Sequence, residues 1–186
     1  MQMDVQDFLD LVEETNRLVF FDLESTGLNC DYNSVLCVSI KPFGKAPTTF
    51  TVEQPGNDKR VVREAAELLS EASAWVTFYG KGFDVPMLEG RLLKWGWPCL
   101  NKKPHMDVYF LVKHKVNPSR KSMAHICRWL HLPEKKMDVN PDEWNNILND
   151  TSGVMRRIMK PRCESDCAAL EGVYKTVRHL ARDITR

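Results

Sequence analysis

The stretch Val19-Phe20-Phe21-Asp22-Leu23-Glu24-Ser25-Thr26-Gly27 constrains this chain more than any other. Leu18, Val19, Phe20 and Phe21 form an apolar run that reads as a buried strand over 17–23, ending in the turn formers Ser25-Thr26-Gly27. Residues two apart in a strand share a face, so Asp22 and Glu24 project together where the strand leaves the core. Two carboxylates that close raise one another's pKa unless a positive charge offsets them. Either one of them caps the turn, or the pair is there to hold a cation.

The rest of the chain supplies the sheet and its cover. SVLCVSIKPFG predicts a strand at 34–41 closed by Pro42 and Gly44, and TTFTVEQ a strand at 48–54, so the first three strands form an antiparallel meander. VVREAAELLSEA then sets Val62, Ala65, Ala66, Leu68 and Leu69 on one helical stripe. AWVTFYG predicts a fourth strand, and a helix follows at 85–95 with Pro86 in its first turn. Beyond residue 100 the pattern is helical: MDVYFLVKHK, then KSMAHICRWLHL stopped by Pro133, then 141–150 capped by Asn140, then a long helix from Cys163. Residues 4–15, with Phe8, Leu11 and Val12 at helical spacing, form a short surface helix. Strands, then a strand–helix unit, then helices imply a mixed sheet covered by helices, in one domain over 1–186.

The formal net charge of +1 conceals an asymmetry. Residues 1–100 carry 9 Lys/Arg against 15 Asp/Glu, and residues 101–136 carry 9 against 2. The local excess leaves room for an anionic ligand. Lys102, Lys103, Lys113, Lys115, Arg120 and Lys121 can track a phosphate backbone, with Tyr109 or Phe110 stacking on bases, or can form a solvated helix face over buried aromatics. Trp95, Trp97 and Trp129 read as core anchors. No apolar run is long enough to span a bilayer, the first residues are acidic and amphipathic, and the six cysteines read as reduced thiols, so a cytoplasmic protein is expected. Cys163 and Cys167, like Cys127 and His131, stand four apart and either chelate zinc or pack as small hydrophobes. P-loop, dinucleotide and His-Glu-x-x-His fingerprints are absent from the sequence.

Two further acids lie in telling places. Asp84 follows the fourth strand and a glycine-containing loop, where it can cap the next helix or join a site. Asp166 precedes Leu170, Val173 and Val177 by 4, 7 and 11 residues, which sets it on the apolar stripe of the last helix. There it must meet a cation, and Arg162 one turn earlier is one candidate. Taken together, Asp22, Glu24, Asp84 and Asp166 form an oxygen-only set suited to hard ions such as Mg²⁺ or Mn²⁺. Two such ions about 4 Å apart support phosphodiester cleavage. Asp107 is either a peripheral acid or a helix cap.

These residues resemble the DEDD superfamily of 3′→5′ exonucleases, which have a ribonuclease H-like fold. FFDLESTGL is similar to the first motif, FYGKGFDVPML to the second and RCESDCAALEGVY to the third, in order and over residues 17–180. The likeness is to small stand-alone phage and microbial members. It implies an α/β fold with a mixed sheet flanked by helices. It also implies removal of nucleotides from 3′ ends as nucleoside 5′-monophosphates, with two Mg²⁺ or Mn²⁺ ions held by Asp22, Glu24, Asp84 and Asp166. Thr26 and Leu28 would meet the terminal nucleotide, and Phe83 and Arg162 fall at substrate-binding positions. The implied partners are single-stranded DNA or DNA 3′ ends, with RNA as the alternative, and proteins of replication or repair, in a host cytoplasm if the chain is phage-encoded.

Two positions depart from the pattern. Tyr79 stands where many relatives have Asn, and Arg162 and Pro161 stand where a water-orienting Tyr or His is usual. Arginine stays protonated and cannot act as a base. Three readings stay open: the ions suffice without a side-chain base; Glu164, Tyr79 or a histidine substitutes; or the protein binds ends, or a replication partner, without cutting.

Overall fold

The computed structural model describes residues 4–133 and 154–181. Helix α1 (Val5–Glu14) precedes the central strand β1 (Leu18–Ser25), and β2 (Val35–Pro42) and β3 (Thr48–Thr51) follow as antiparallel neighbours. Helix α2 (Lys59–Glu71) leads to β4 (Ala74–Thr77), and α3 (Asp84–Lys94) leads to β5 (His105–Asp107), both strands running parallel to β1. The sheet order is β3-β2-β1-β4-β5. Helices α4 (Val108–Lys115), α5 (Met123–Trp129) and α6 (Val154–Val177) follow, and a 3₁₀ turn spans Arg178–Leu180.

The expected mixed sheet with helical cover is therefore present, with differences at its margins. β3 stops at Thr51, earlier than its β-branched run suggested. β5 was not anticipated, because three residues with polar ends carry no alternation to read. The last helix begins ahead of Cys163 and runs through Pro161, which breaks one intrahelical hydrogen bond without ending the helix. The helix expected at 141–150 lies outside the described residues.

Apolar side chains cover both faces of the sheet. Val19, Phe21 and Leu23 pack with Val61, Val62, Ala65 and Leu69 of α2 and Met87, Leu88 and Leu92 of α3. Leu18 and Phe20 pack with Leu9, Val112, Ile126, Leu170 and Tyr174 of the other helices. Along β1 the side chains thus alternate between two cores, and Asp22 and Glu24 continue the face of Phe20, toward α6.

Helix α6 is attached at several levels of the sheet. Cys163 donates to the Asp22 carbonyl at 3.2 Å and Cys167 to the Ser39 carbonyl at 3.4 Å. Farther along, Glu171 pairs with Lys41 and accepts from the Gly44 amide at 3.1 Å. At its end Tyr174 Oη and Arg178 both donate to Glu13 of α1 at 2.5 Å.

A buried ion pair braces the β1–β2 loop. Asp58 is fully buried, and Arg91 donates to both its oxygens, at 2.7 and 2.9 Å. The Val35 amide and Trp95 Nε1 also donate to Asp58, each at 2.9 Å, while Arg91 reaches the Cys30 carbonyl at 3.1 Å. Trp95 is thus half-buried over this pair, Trp97 packs at the edge of the α2–α3 core, and Trp129 is exposed rather than a core anchor.

Candidate active site

Asp22, Glu24 and Asp166 each offer a carboxylate oxygen, and these oxygens lie within 4.8 Å of one another. The strand supplies the first two on one face, and α6 supplies the third from its sheet-facing side, where Asp166 is buried. Next to Glu24 the β1–β2 register slips: Glu24 faces Cys37, but Ser25 faces Val35. Such a bulge turns the strand end and re-aims the side chains beside it.

Asp84 joins this group through the backbone. The pairing of β1 with β4 ends at Phe20–Val76, so β1 runs on past its neighbour. Asp84 Oδ1 accepts from the Leu23 amide at 3.0 Å, in the space β4 has left. Leu23 lies between Asp22 and Glu24, so Asp84 fixes the peptide that carries both. It does so from the first residue of α3, and the helix-capping position belongs to Phe83. Burial pushes the Asp84 carboxyl up to about 7, against the lowering effect of the Leu23 amide, and nearby Asp107 and Glu24 push it the same way.

Arg162 is the cation of the cluster. Its Nε donates to Glu24 Oε1 at 2.5 Å rather than only serving Asp166 one turn along. The two side chains are 15% and 12% exposed. Burial works against the guanidinium charge, but Glu24, Asp166 and Asp22 outweigh it and hold its pKa above the ordinary value.

The oxygens of Asp22, Glu24 and Asp166 form a donor set of carboxylates alone, drawn from two rigid elements, which fits a hard divalent cation. The cysteines nearby do not suit zinc. Burial pushes the Cys163 and Cys167 thiols well up, so they stay protonated and donate to backbone carbonyls.

The remaining sequence candidates take varied positions. Thr26 Oγ1 lies 3.2 Å from Asn33 Oδ1 and accepts from the Ser34 amide at 3.0 Å, so its hydroxyl holds the loop closed. Leu28 is 79% exposed beyond that loop. Phe83 packs partly buried against the α2–α3 core. Asp107 does cap α4, accepting from Tyr109 at 3.1 Å, and it also accepts from the Tyr79 and Lys81 amides at 2.8 and 2.9 Å. One side chain thereby organises the loop that leads to Asp84.

That loop carries an aromatic group. Tyr79 adopts φ +66°, a conformation that Asn takes more easily than an aromatic residue. Its ring centroid lies 4.9 Å from Tyr109 and 5.9 Å from Phe110, with Lys113 5.9 and 6.0 Å above the Tyr109 and Phe110 rings. Asp58 and Arg91 were missed by sequence reasoning: a loop Asp and a last-turn Arg look like ordinary surface charges, and no motif joins them.

No helix among the described residues is long and apolar enough to cross a membrane. No curated protein matches the chain. Among solved structures it is similar to the family B DNA polymerase from the hyperthermophilic archaeon Pyrobaculum calidifontis, with a TM-score of 0.68 and 17% identity. The match covers 87% of this chain and 24% of the polymerase, so the chain spans about a quarter of that protein, and at this identity the likeness concerns the fold. A family model described as RNase_H superfamily matches residues 19–178. With the mixed sheet and helical cover described above, the chain belongs to the RNase_H superfamily.

Proposed function

We infer that the chain is a metal-dependent 3′→5′ exonuclease of the DEDD type, acting on DNA in preference to RNA and releasing nucleoside 5′-monophosphates. Membership of the RNase_H superfamily supports a nuclease-type activity in general. The observation that carries the finer reading is the convergence of Asp22, Glu24 and Asp166 within 4.8 Å, with Asp84 fastened to the peptide between the first two.

Asp22, Glu24 and Asp166 are the direct metal ligands in this reading, and Asp84 completes the set from α3. When bound, two Mg²⁺ or Mn²⁺ ions would make water a stronger nucleophile at neutral pH and stabilise charge on the leaving 3′ oxygen. The chain's own residues supply position. Asp84 keeps the β1 acids aligned, and the Asp107 carboxylate keeps the Tyr79–Lys81 loop in place beside them. Leu28, exposed beyond the turn, is the apolar wedge for the terminal base, with the Thr26 backbone beside the 3′ end and Phe83 behind. Tyr79, Tyr109 and Phe110 with Lys113 offer bases a stacking surface and phosphates a charge. Arg162 cannot take a proton, so no side-chain base is assigned at that position.

The test uses 5′-labelled single-stranded DNA, an RNA of the same sequence, Mn²⁺, Mg²⁺ or EDTA, and the Asp22→Ala variant. A ladder shrinking from the 3′ end is expected, faster on DNA. EDTA should abolish it, and Asp22→Ala should lower its rate by about 10³-fold or more. Arg162 seated on Glu24 favours one second reading, a module that binds nucleic-acid ends without cutting. Retention of labelled DNA without any shortening in either metal would select it.

A further inference from the structure

Arg162 deepens the reading of the acid cluster as a metal site, and the inference rests on that reading. A guanidinium that donates to Glu24 Oε1 and a divalent ion bound by Glu24 draw on the same carboxylate. The contact is largely shielded, at 15% and 12% side-chain exposure, which strengthens it relative to a surface pair. The other two acids of the cluster also act on this guanidinium. Arg162 stands one turn before Asp166 on α6, so the helix that delivers the third carboxylate delivers a cation with it.

The backbone on either side of Arg162 differs in how it is held. Pro161 has no amide hydrogen to offer the Arg157 carbonyl, while Cys163 on the other side of Arg162 is hydrogen-bonded to the Asp22 carbonyl. Asp166 and Cys167, by contrast, lie on the buried side of the next turn against the sheet. The long Arg162 side chain has several rotatable bonds, so its guanidinium can swing away from Glu24 while Asp166 stays.

We propose that Arg162 is a built-in counter-cation that neutralises the acid cluster in the metal-free protein and that a divalent ion must displace from Glu24. Arg162 thereby sets how much metal the site requires, and once displaced it is a cation at the edge of the site, available to a phosphate. It acts as a positioning residue and takes no part in proton transfer.

The test is direct binding of MnCl₂ to the full chain, read by the free Mn²⁺ signal in electron paramagnetic resonance, with melting temperature in EDTA and in Mn²⁺ as the second readout. Wild type, Arg162→Gln, Arg162→Lys and Asp22→Asn are compared. Arg162→Gln is expected to bind Mn²⁺ about tenfold tighter or more, the equivalent of ~1.4 kcal/mol for one charge-assisted hydrogen bond. Its melting temperature should fall below wild type in EDTA and recover in Mn²⁺. Arg162→Lys, which keeps the charge but not the fork, should fall between the two. Asp22→Asn should bind weakly, which assigns the signal to this cluster. Equal or weaker Mn²⁺ binding by Arg162→Gln, with wild type still binding through Asp22, overturns the inference and leaves the metal site standing. Absence of Mn²⁺ binding in wild type and in both Arg162 variants overturns the metal reading itself, and the inference with it.

Discussion

His105 and Asp84 set opposing pH dependences in the metal-free fold. Burial, helped by Lys81, lowers His105 to about 3, and its Nε2 lies 2.7 Å from Thr77 Oγ1. The unfolded chain takes up that proton below about 6.5. Stability from this residue is therefore complete above that pH and falls by about 1.4 kcal/mol per unit as pH drops toward 3. Asp84 has the reverse sign: its pKa of about 7 favours the fold at low pH, and that contribution is lost as pH rises from 3.8 to 7. In EDTA, His105→Gln should lose less stability than wild type between pH 6.5 and 4.5, by urea unfolding. A parallel loss in both proteins would show that His105 does not carry the dependence. The Asp58–Arg91 pair belongs to the same scale. Asp58→Ala leaves a buried guanidinium uncompensated and should cost about 3–5 kcal/mol in denaturant unfolding. It should also loosen the β1–β2 loop through the Val35 and Cys30 contacts.

Among the elements, β1 and the loop after β4 hold most of the site. A Cβ built on Gly80 would lie 2.4 Å from the Thr77 side chain, which is buried and engaged with His105. Gly80→Ala should therefore destabilise by about 1–3 kcal/mol and displace the loop that leads to Asp84. Amide exchange in residues 78–85 that stays as slow as in wild type would refute this. The elements show what a sequence can disclose. β1 was legible because four apolar residues and a turn triplet bound it, and the acids followed from its two-residue period. α6 was legible in phase, so Asp166 was placed on its buried side, but its start was not, because a proline usually marks an end. β5 depends on pairing with β4 and has no local signature.

Across the whole molecule, the resemblance carried by three motifs in order implied the fold, and the family match and sheet topology agree with that expectation. Four acids were named from the sequence. The structure groups three of them closely and shows how the fourth is attached, through a backbone amide that no side-chain pattern encodes. The Arg162–Glu24 and Asp58–Arg91 contacts were hidden for a common reason: each joins residues far apart in the chain, 138 and 33 positions, and charge pairing across such distances leaves no local periodicity.

The span between β1 and α6 also orders events in time. As the chain leaves the ribosome, Asp22 and Glu24 emerge ahead of the other acids of the cluster, with β2 available to pair beside them, while Asp166 follows more than a hundred residues later. Until α6 is made, the chain has neither its third acid nor Arg162. Asp166 and Arg162 then arrive together, on one helix. A partly made chain thus carries an incomplete acid cluster, and the cluster is completed only when α6 docks.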